Sequence, residues 1–525
     1  MFFFKLRLSS FKPLSAVWFF PTLLGAFLLY ANLNRGLLQY DEADYAAAAR
    51  QGLWANYVDA TAMSFAAFVR KGVQDALIGG HEDFSKEVRK QGDVAFYRHY
   101  HPPLTFYALA IAERTFGPAD RVFRLTAWPM AALIVPTVYW SVRTTWKESG
   151  VGCAFAAALL TAVSPMMDVT SATVSIHPPY ILVALITLTL LVRYFRSGAL
   201  RNFYWFCSAL SLAFLASEYA LFLLCACLAG FLLISNPLFS VDRAGVRASH
   251  HLVGGIAVFV LVFVLLWPGA LLKLSVLKGY LFQAYVVFVK KSLAYGDQDI
   301  VRVWLSRFAA DPVGSCLLLV GAGYGAYGFF TRTIDKTLLP IYLYPTAIFC
   351  ANLLNRAAFN TYAMSMYPFL FMFAAAWLWR WTNRLSTTGV RRVTIVGGLA
   401  AVMVVNVVLE KLERPEDTAE LAAVIHTLET VAAPVDSVLV SHGLLATASY
   451  YLPAFEVHTL YLEDTLTATA EKLDQKIYRY FLFSGTEAEL ETASYRPSLE
   501  TGYRQVARRT NRTGKVVCLF GRVGG

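Results

Sequence analysis

The chain has 525 residues, of which 57% are hydrophobic and only 15% charged. Soluble globular proteins run at about 45–50% apolar and about 25% charged, so composition excludes an ordinary soluble domain and indicates an integral membrane protein. The net charge of +11 does not require nucleic acid as a partner, because basic loops on the cytoplasmic side of a membrane account for it.

The chain opens with Lys5, Arg7 and Lys12 ahead of a long apolar run. With no small-residue cleavage site after that run, it reads as a retained span with a cytoplasmic N-terminus. Apolar runs of membrane length occur near residues 14–33, 121–142, 151–167, 178–195, 203–218, 220–236, 252–270, 312–331, 337–354, 361–380 and 393–410. They predict about eleven transmembrane helices at about 20 residues per span. The short-loop cations Arg143/Lys147, Arg193/Arg196/Arg201, Arg243/Arg247, Arg332/Lys336 and Arg380/Arg384/Arg391/Arg392 fall on every second loop. Placing them in the cytoplasm obeys the positive-inside rule throughout.

The opposite, outer face then carries the long loop 34–120, the turn 164–178, Ser217-Glu218-Tyr219, the loop 268–311, the turn 353–361 and everything after Leu409. Pro102–Phe116 is apolar but short, and promoting it to a span would invert every later loop, so it is expected to lie along the membrane surface. Residues 1–412 read as the transmembrane unit. Residues 413–525 read as a soluble extracytoplasmic α/β domain: Leu421, Val424, Ile425, Leu428 and Val431 have helical spacing. Short β-prone runs follow at Ser437–Ser441, Glu456–Leu460, Lys476–Phe483, Tyr503–Arg509 and Lys515–Phe520. Six of the seven cysteines lie in apolar runs and only Cys518 in the tail, with neither a disulfide framework nor zinc-ligand spacing among them.

The residues with chemical capacity gather on the outer face. Asp41 and Glu42 directly follow the first span, where carboxylates near hydrocarbon are costly unless they serve something. If residues 41–50 are helical, Asp41, Asp44 and Tyr45 share a face and Glu42 points elsewhere. One carboxylate there suits a base that takes a proton from an attacking hydroxyl; a solvated helix start is the plainer alternative. His99 and His101, just before Pro102-Pro103-Leu104, suit hydrogen bonds to a phosphate or sugar, or an ordinary interfacial anchor. They also permit a divalent metal, although no spacing demands one. Asp168 is the acid of the turn 164–178, and Glu218 stands between two apolar runs. Outer cations, including Lys278 and above all Arg356 in the stretch Asn355–Tyr362, run against the positive-inside bias, and binding a lipid phosphate is a good reason for them.

The first span, Asp41-Glu42-Ala43 with Tyr45-Ala46, then His101-Pro102-Pro103-Leu104, resembles the dolichyl-phosphate-mannose protein mannosyltransferase superfamily, which includes the lipid A aminoarabinose transferases. The Arg121–Leu125 stretch, Ser164-Pro165 with Asp168, and Asn355-Arg356 to Tyr367-Pro368 are similar to further segments of it. The resemblance implies the GT-C membrane glycosyltransferase fold. It also implies sugar transfer with inversion, from a polyprenyl-phosphate donor to a lipid, glycan or protein acceptor on the outer face of a bacterial inner membrane. It makes Asp41 the acid at the reacting centre with Glu42 beside it. His101 stands where the aminoarabinose enzymes more often have Lys, and Thr126 replaces a proline. A transporter or flippase of lipid-linked substrates is the alternative, although the acids crowd one face and no halves repeat.

Overall fold

A computed structural model describes residues 18–30, 33, 36–38, 41–50, 64–78, 102–146, 150–171, 174–234, 248–268, 300–354, 364–385, 389–413, 418–434, 436–441, 444–459, 473, 478–493, 495–511 and 514–523. Among them, helices dominate as far as Glu413. These are α1 (Phe19–Tyr30), α2 (Asp41–Arg50), α3 (Phe65–Ile78), α4 (Leu104–Phe116), α5 (Asp120–Thr145), α6 (Gly150–Ala162), α7 (Pro165–Ser171), α8 (His177–Ser197), α9 (Leu200–Ala216) and α10 (Ala220–Leu233). They continue as α11 (Ala248–Leu266), α12 (Ile300–Ala310), α13 (Pro312–Phe330), α14 (Leu339–Leu354), α15 (Tyr367–Leu385) and α16 (Gly389–Glu413).

Each of the eleven apolar runs holds one of these helices. By length and composition, and among the described residues, three are long and apolar enough to cross a membrane, namely α5, α8 and α13, while the apolar stretches Phe19–Tyr30, Gly150–Ala162, Ala220–Leu233, His251–Leu266 and Thr394–Leu409 are shorter. The expected number of spans is therefore not fixed by the helices themselves. The helix expected over Pro102–Phe116 is present as α4 and starts just after the two prolines, whose fixed φ suits a helix entry.

The bundle is organised around α8, which packs on α5, α9, α10 and α14. α15 packs on α6 and α5, and α13 and α15 cross so closely that a Cβ on Gly321 would lie 2.2 Å from the Leu370 carbonyl oxygen. Only glycine permits that approach, the small-residue contact by which membrane helices pack where the hydrophobic effect does not drive them together. At the opposite end of α8 from His177, Arg196 donates to Asp335 at 2.7 Å and to the Thr337 hydroxyl at 3.0 Å. Burial alone would raise the Asp335 carboxyl, but hydrogen bonds from Thr337 and Arg196 outweigh it and hold the group below the usual range.

The tail adds α17 (Ala419–Val431), β1 (Ser437–Val440), α18 (Leu445–Tyr451), β2 (Glu456–Thr459), β3 (Tyr480–Thr486), α19 (Glu487–Glu491), α20 (Arg496–Gly502), β4 (Tyr503–Thr510) and β5 (Lys515–Arg522). The five strands form one sheet in the order β2-β1-β3-β5-β4. β1 runs parallel to β2 and β3, whereas β5 pairs antiparallel with β3 and β4. Leu421, Val424, Ile425 and Leu428 of α17 are buried against Val438, Val440, Leu482, Val517 and Leu519. Val431, expected on the same apolar face, is 49% exposed at the last turn. Leu444, Ala448 and Leu452, in and around α18, join the same cluster.

Candidate functional site

The acidic pair sits at the start of α2, as its first two residues. The helix is short and alanine-rich, so its place depends on what surrounds it rather than on its own stability. Ala43, Tyr45, Ala46, Ala48 and Ala49 are buried together with Phe106, Leu109 and Ala110 of α4 and Phe123 of α5. The Tyr45 ring meets the Phe106 ring edge-on at 5.4 Å. That contact joins the Asp-Glu helix to the helix that begins directly after Pro102-Pro103.

Glu42 is buried and ion-paired with Arg124 of α5. Arg124 donates from Nε to Oε1 at 3.3 Å and from Nη2 to Oε2 at 3.1 Å, and the two side chains are 2% and 9% exposed. The Val174 backbone N–H donates to the same Oε1 at 3.0 Å. Arg124 also donates to the carbonyls of Gly36 at 2.9 Å and Leu37 at 3.2 Å. A two-pronged guanidinium is well matched to this work, since its donors lie in one plane and remain charged when buried. Because Val174 lies just beyond α7, the turn carrying Asp168 is tied directly to α2. Asp168 itself is buried.

The tail contributes to the same place. Leu38 N–H donates to the Tyr451 hydroxyl at 2.7 Å, and that hydroxyl donates to Asp120 Oδ2 at 2.6 Å. Leu37 N–H donates to Thr418 Oγ1 at 3.2 Å. At the other end of α2, Arg50 donates to the Tyr450 carbonyl at 3.0 Å, lies 3.8 Å over the Tyr450 ring and pairs with Glu113 of α4 at 3.6 Å. Burial raises the Glu113 carboxyl, an effect Arg50 partly opposes. Burial likewise pushes the Tyr450 phenol up to about 12 against the pull of Arg50. The Tyr451 phenol is held well above the ordinary tyrosine range by burial and by its bond to Asp120.

Glu218 lies between α9 and α10, partly exposed. The neighbouring Tyr219 accepts a hydrogen bond from the Tyr180 hydroxyl through its carbonyl at 2.9 Å and meets the His177 ring at 5.7 Å. The start of α8 and the α9–α10 turn are thus joined at the end of the bundle where Glu42 meets Val174. His99, His101, Lys278, Arg356 and Tyr362 lie outside the described residues, as does the side chain of Asp41. Among the described residues no group of three His, Cys, Asp or Glu is placed to hold a metal ion.

Reading the sequence by motif left Arg124 inside a resembling stretch with no role, and left Tyr450, Tyr451 and Thr418 unnoticed. Arg124 did carry a signal, since an arginine one turn inside the apolar run 121–142 needs a partner. The tail residues carried none.

Residues 100–267 match the family model described as dolichyl-phosphate-mannose-protein mannosyltransferase. The matched stretch takes in His101–Leu104, Arg124, Asp168 and Glu218 and begins after Asp41. No curated protein matches the chain. Among solved structures, it is similar to ArnT from Cupriavidus metallidurans in the apo state, with a TM-score of 0.59 and 13% identity over 95% of this chain and 97% of that one. The same protein bound to undecaprenyl phosphate matches with a TM-score of 0.55 and 14% identity over 96% and 98% of the two chains. The oligosaccharyltransferase of Archaeoglobus fulgidus, tethered to an acceptor peptide, matches with a TM-score of 0.54 and 12% identity over 98% of this chain and 75% of that one. The chain therefore has the GT-C fold of the membrane glycosyltransferases. The family model covers residues 100–267, and the likeness in fold covers nearly the whole chain.

Proposed function

We propose that this protein is an inverting glycosyltransferase that moves a sugar from a polyprenyl-phosphate carrier to a lipid, glycan or protein acceptor at the outer face of a bacterial inner membrane. The observation that carries the reading is the anchoring of α2. Glu42 is fixed by a buried arginine and a backbone N–H, and this sets the helix on which Asp41 is the preceding residue. A solved relative in fold is described as bound to undecaprenyl phosphate, which supports the class of donor.

In this reading an acceptor hydroxyl attacks the anomeric carbon from the face opposite the phosphate, and the Asp41 carboxylate takes the hydroxyl proton. The bond from the anomeric carbon to the phosphate oxygen breaks, its electron pair stays on that oxygen, and polyprenyl monophosphate leaves with the configuration inverted. Arg356, His99, His101, Lys278 and Tyr362 would hold the departing phosphate, where positive charge lowers the barrier most. Asp168 is assigned to the reacting centre with Asp41, and Glu218 to the donor's sugar. Glu42 and Tyr45 act by holding α2 and not by touching substrate. Residues 413–525 form the extracytoplasmic domain.

The test uses the purified full-length protein in nanodiscs with a set of polyprenyl-phosphate sugars, together with mass spectrometry of envelope glycolipids and glycans from cells with and without it. A sugar that is gained or lost names donor and acceptor together. Asp41→Asn is expected to keep its thermal unfolding profile and lose transfer, and normal transfer by that variant would remove Asp41 from the role of base. Energy-coupled movement of a lipid-linked substrate across vesicles, without sugar transfer, would favour a transporter instead.

A further inference from the structure

Residues 36–38 are the described backbone immediately ahead of Asp41, and they are held from two sides. Arg124 of the bundle takes the carbonyls of Gly36 and Leu37. The tail takes the N–H groups: Thr418 Oγ1 accepts from Leu37 and the Tyr451 hydroxyl accepts from Leu38. The tail's hold is close. A Cβ on Gly36 would lie 1.6 Å from Thr418 Oγ1, so residue 36 has no room for a side chain while Thr418 is seated. Tyr451 is fixed in turn, because its own proton goes to Asp120 at the start of α5, one helical turn from Arg124. At the far end of α2 the neighbouring Tyr450 clamps Arg50 through its carbonyl and its ring. The segment ahead of the helix that bears the acidic pair, and the far end of that helix, are thus gripped by α18 and the residue before α17.

We propose that Tyr451 and Thr418 are positioning residues for sugar transfer: the tail sets the backbone that delivers Asp41, so it is a working part of the reaction centre and not an appended module. The inference rests on the reading of Asp41 as base. Its physical basis is that small displacements of a reacting group weaken catalysis far more than they weaken binding, because orientation is lost while the contacts to the rest of the substrate remain.

The experiment combines two readouts on the full-length protein in detergent or nanodiscs. The first is hydrogen–deuterium exchange of peptides spanning residues 36–50, which needs no substrate. In Tyr451→Phe and Thr418→Val, and most in the double variant, exchange at the Leu37 and Leu38 amides rises by roughly fivefold or more. Thr418→Ser keeps the acceptor oxygen and keeps the exchange slow. The second is transfer kinetics: the double variant loses kcat by roughly tenfold to a hundredfold, while KM for the donor stays within about twofold. Unchanged exchange in the double variant overturns the proposal. So does faster exchange with unchanged kcat per folded molecule, since the contacts then only hold the tail in place. Absence of any transfer by the wild-type protein defeats the reading of the reaction itself, and the exchange result is independent of it.

Discussion

Glu42 and Arg124, separated by 82 positions in sequence, form a buried, two-pronged ion pair at 3.3 and 3.1 Å. The pair ties the short helix after the first apolar segment to the start of α5. Buried pairs of this kind are weak contributors as a whole, yet costly to break singly, because the surviving charge is left without its counter-charge. Arg124→Met and Glu42→Gln are each expected to destabilise the protein by about 3–5 kcal/mol. The double variant Glu42→Gln/Arg124→Met should lose clearly less than the sum. Thermal unfolding in detergent, arranged as a double-mutant cycle, measures this. It also separates Glu42→Gln, which lowers stability and activity together, from Asp41→Asn, which is expected to lower activity alone.

Gly36 supplies a second test. Gly36→Ala places a methyl group on the Thr418 hydroxyl, and relieving such overpacking typically costs about 1–3 kcal/mol. Thr418→Gly in the Gly36→Ala background should restore most of the loss, even though it removes a hydrogen bond. A Gly36→Ala variant with unchanged unfolding would show that Thr418 does not sit against residue 36.

The Tyr451 phenol sets a pH expectation. Its folded-state pKa is raised by burial first and then by its bond to Asp120. A group shifted in this direction gives its stabilisation in full below the unfolded pKa of about 10 and loses it only as pH climbs above that value. The seat of α18 should therefore be insensitive to pH from about 6 to 9, and exchange at the Leu38 amide, corrected for intrinsic rate, should be flat over that range. Any pH dependence of transfer inside that window belongs to other groups. An opening of the Leu38 amide within it would sink this assignment.

At the other end of the bundle, Asp335 is held below its usual range against the cost of burial by Thr337 and Arg196. Its contribution is present above about pH 4 and is lost as pH falls through the lower folded value. Its side chain is 46% exposed, so solvent screens the pair and Asp335→Asn should cost at most about 1 kcal/mol at neutral pH. Unfolding of the variant and of the parent protein at pH 7, with and without added salt, checks both the size and the screening.

What the sequence revealed, and what it withheld, follows from the range of the interactions involved. Strand β1 was expected at Ser437–Ser441 and lies at Ser437–Val440, because alternating apolar residues between turn formers are a local signal. β3 starts at Tyr480 and not at Lys476, since the edge of a strand depends on what pairs with it. α2 and α4 could be placed, and so could the idea that their motifs belong together. The agent that unites them could not: Arg124 meets Glu42, and Tyr451 meets Leu38 and Asp120, through folding that brings distant segments side by side. The number of membrane crossings stayed open for a related reason. Short apolar helices such as α6 and α10 look alike in composition whether lipid or protein surrounds them.

The sheet order carries a consequence for how the molecule is made. β5 is the last of the five strands in sequence, yet it lies between β3 and β4. Val517 and Leu519 of this strand share a buried cluster with Leu444, Ala448 and Leu452, around α18. During synthesis, which proceeds from the N-terminus, the bundle's helices and the Asp41–Arg50 segment emerge long before their seat is finished. The sheet stays split until residues 515–522 arrive to bridge its two parts. A chain that stops short of β5 is therefore expected to leave the cluster around α18, and with it the seat of Leu37 and Leu38 ahead of α2, incomplete.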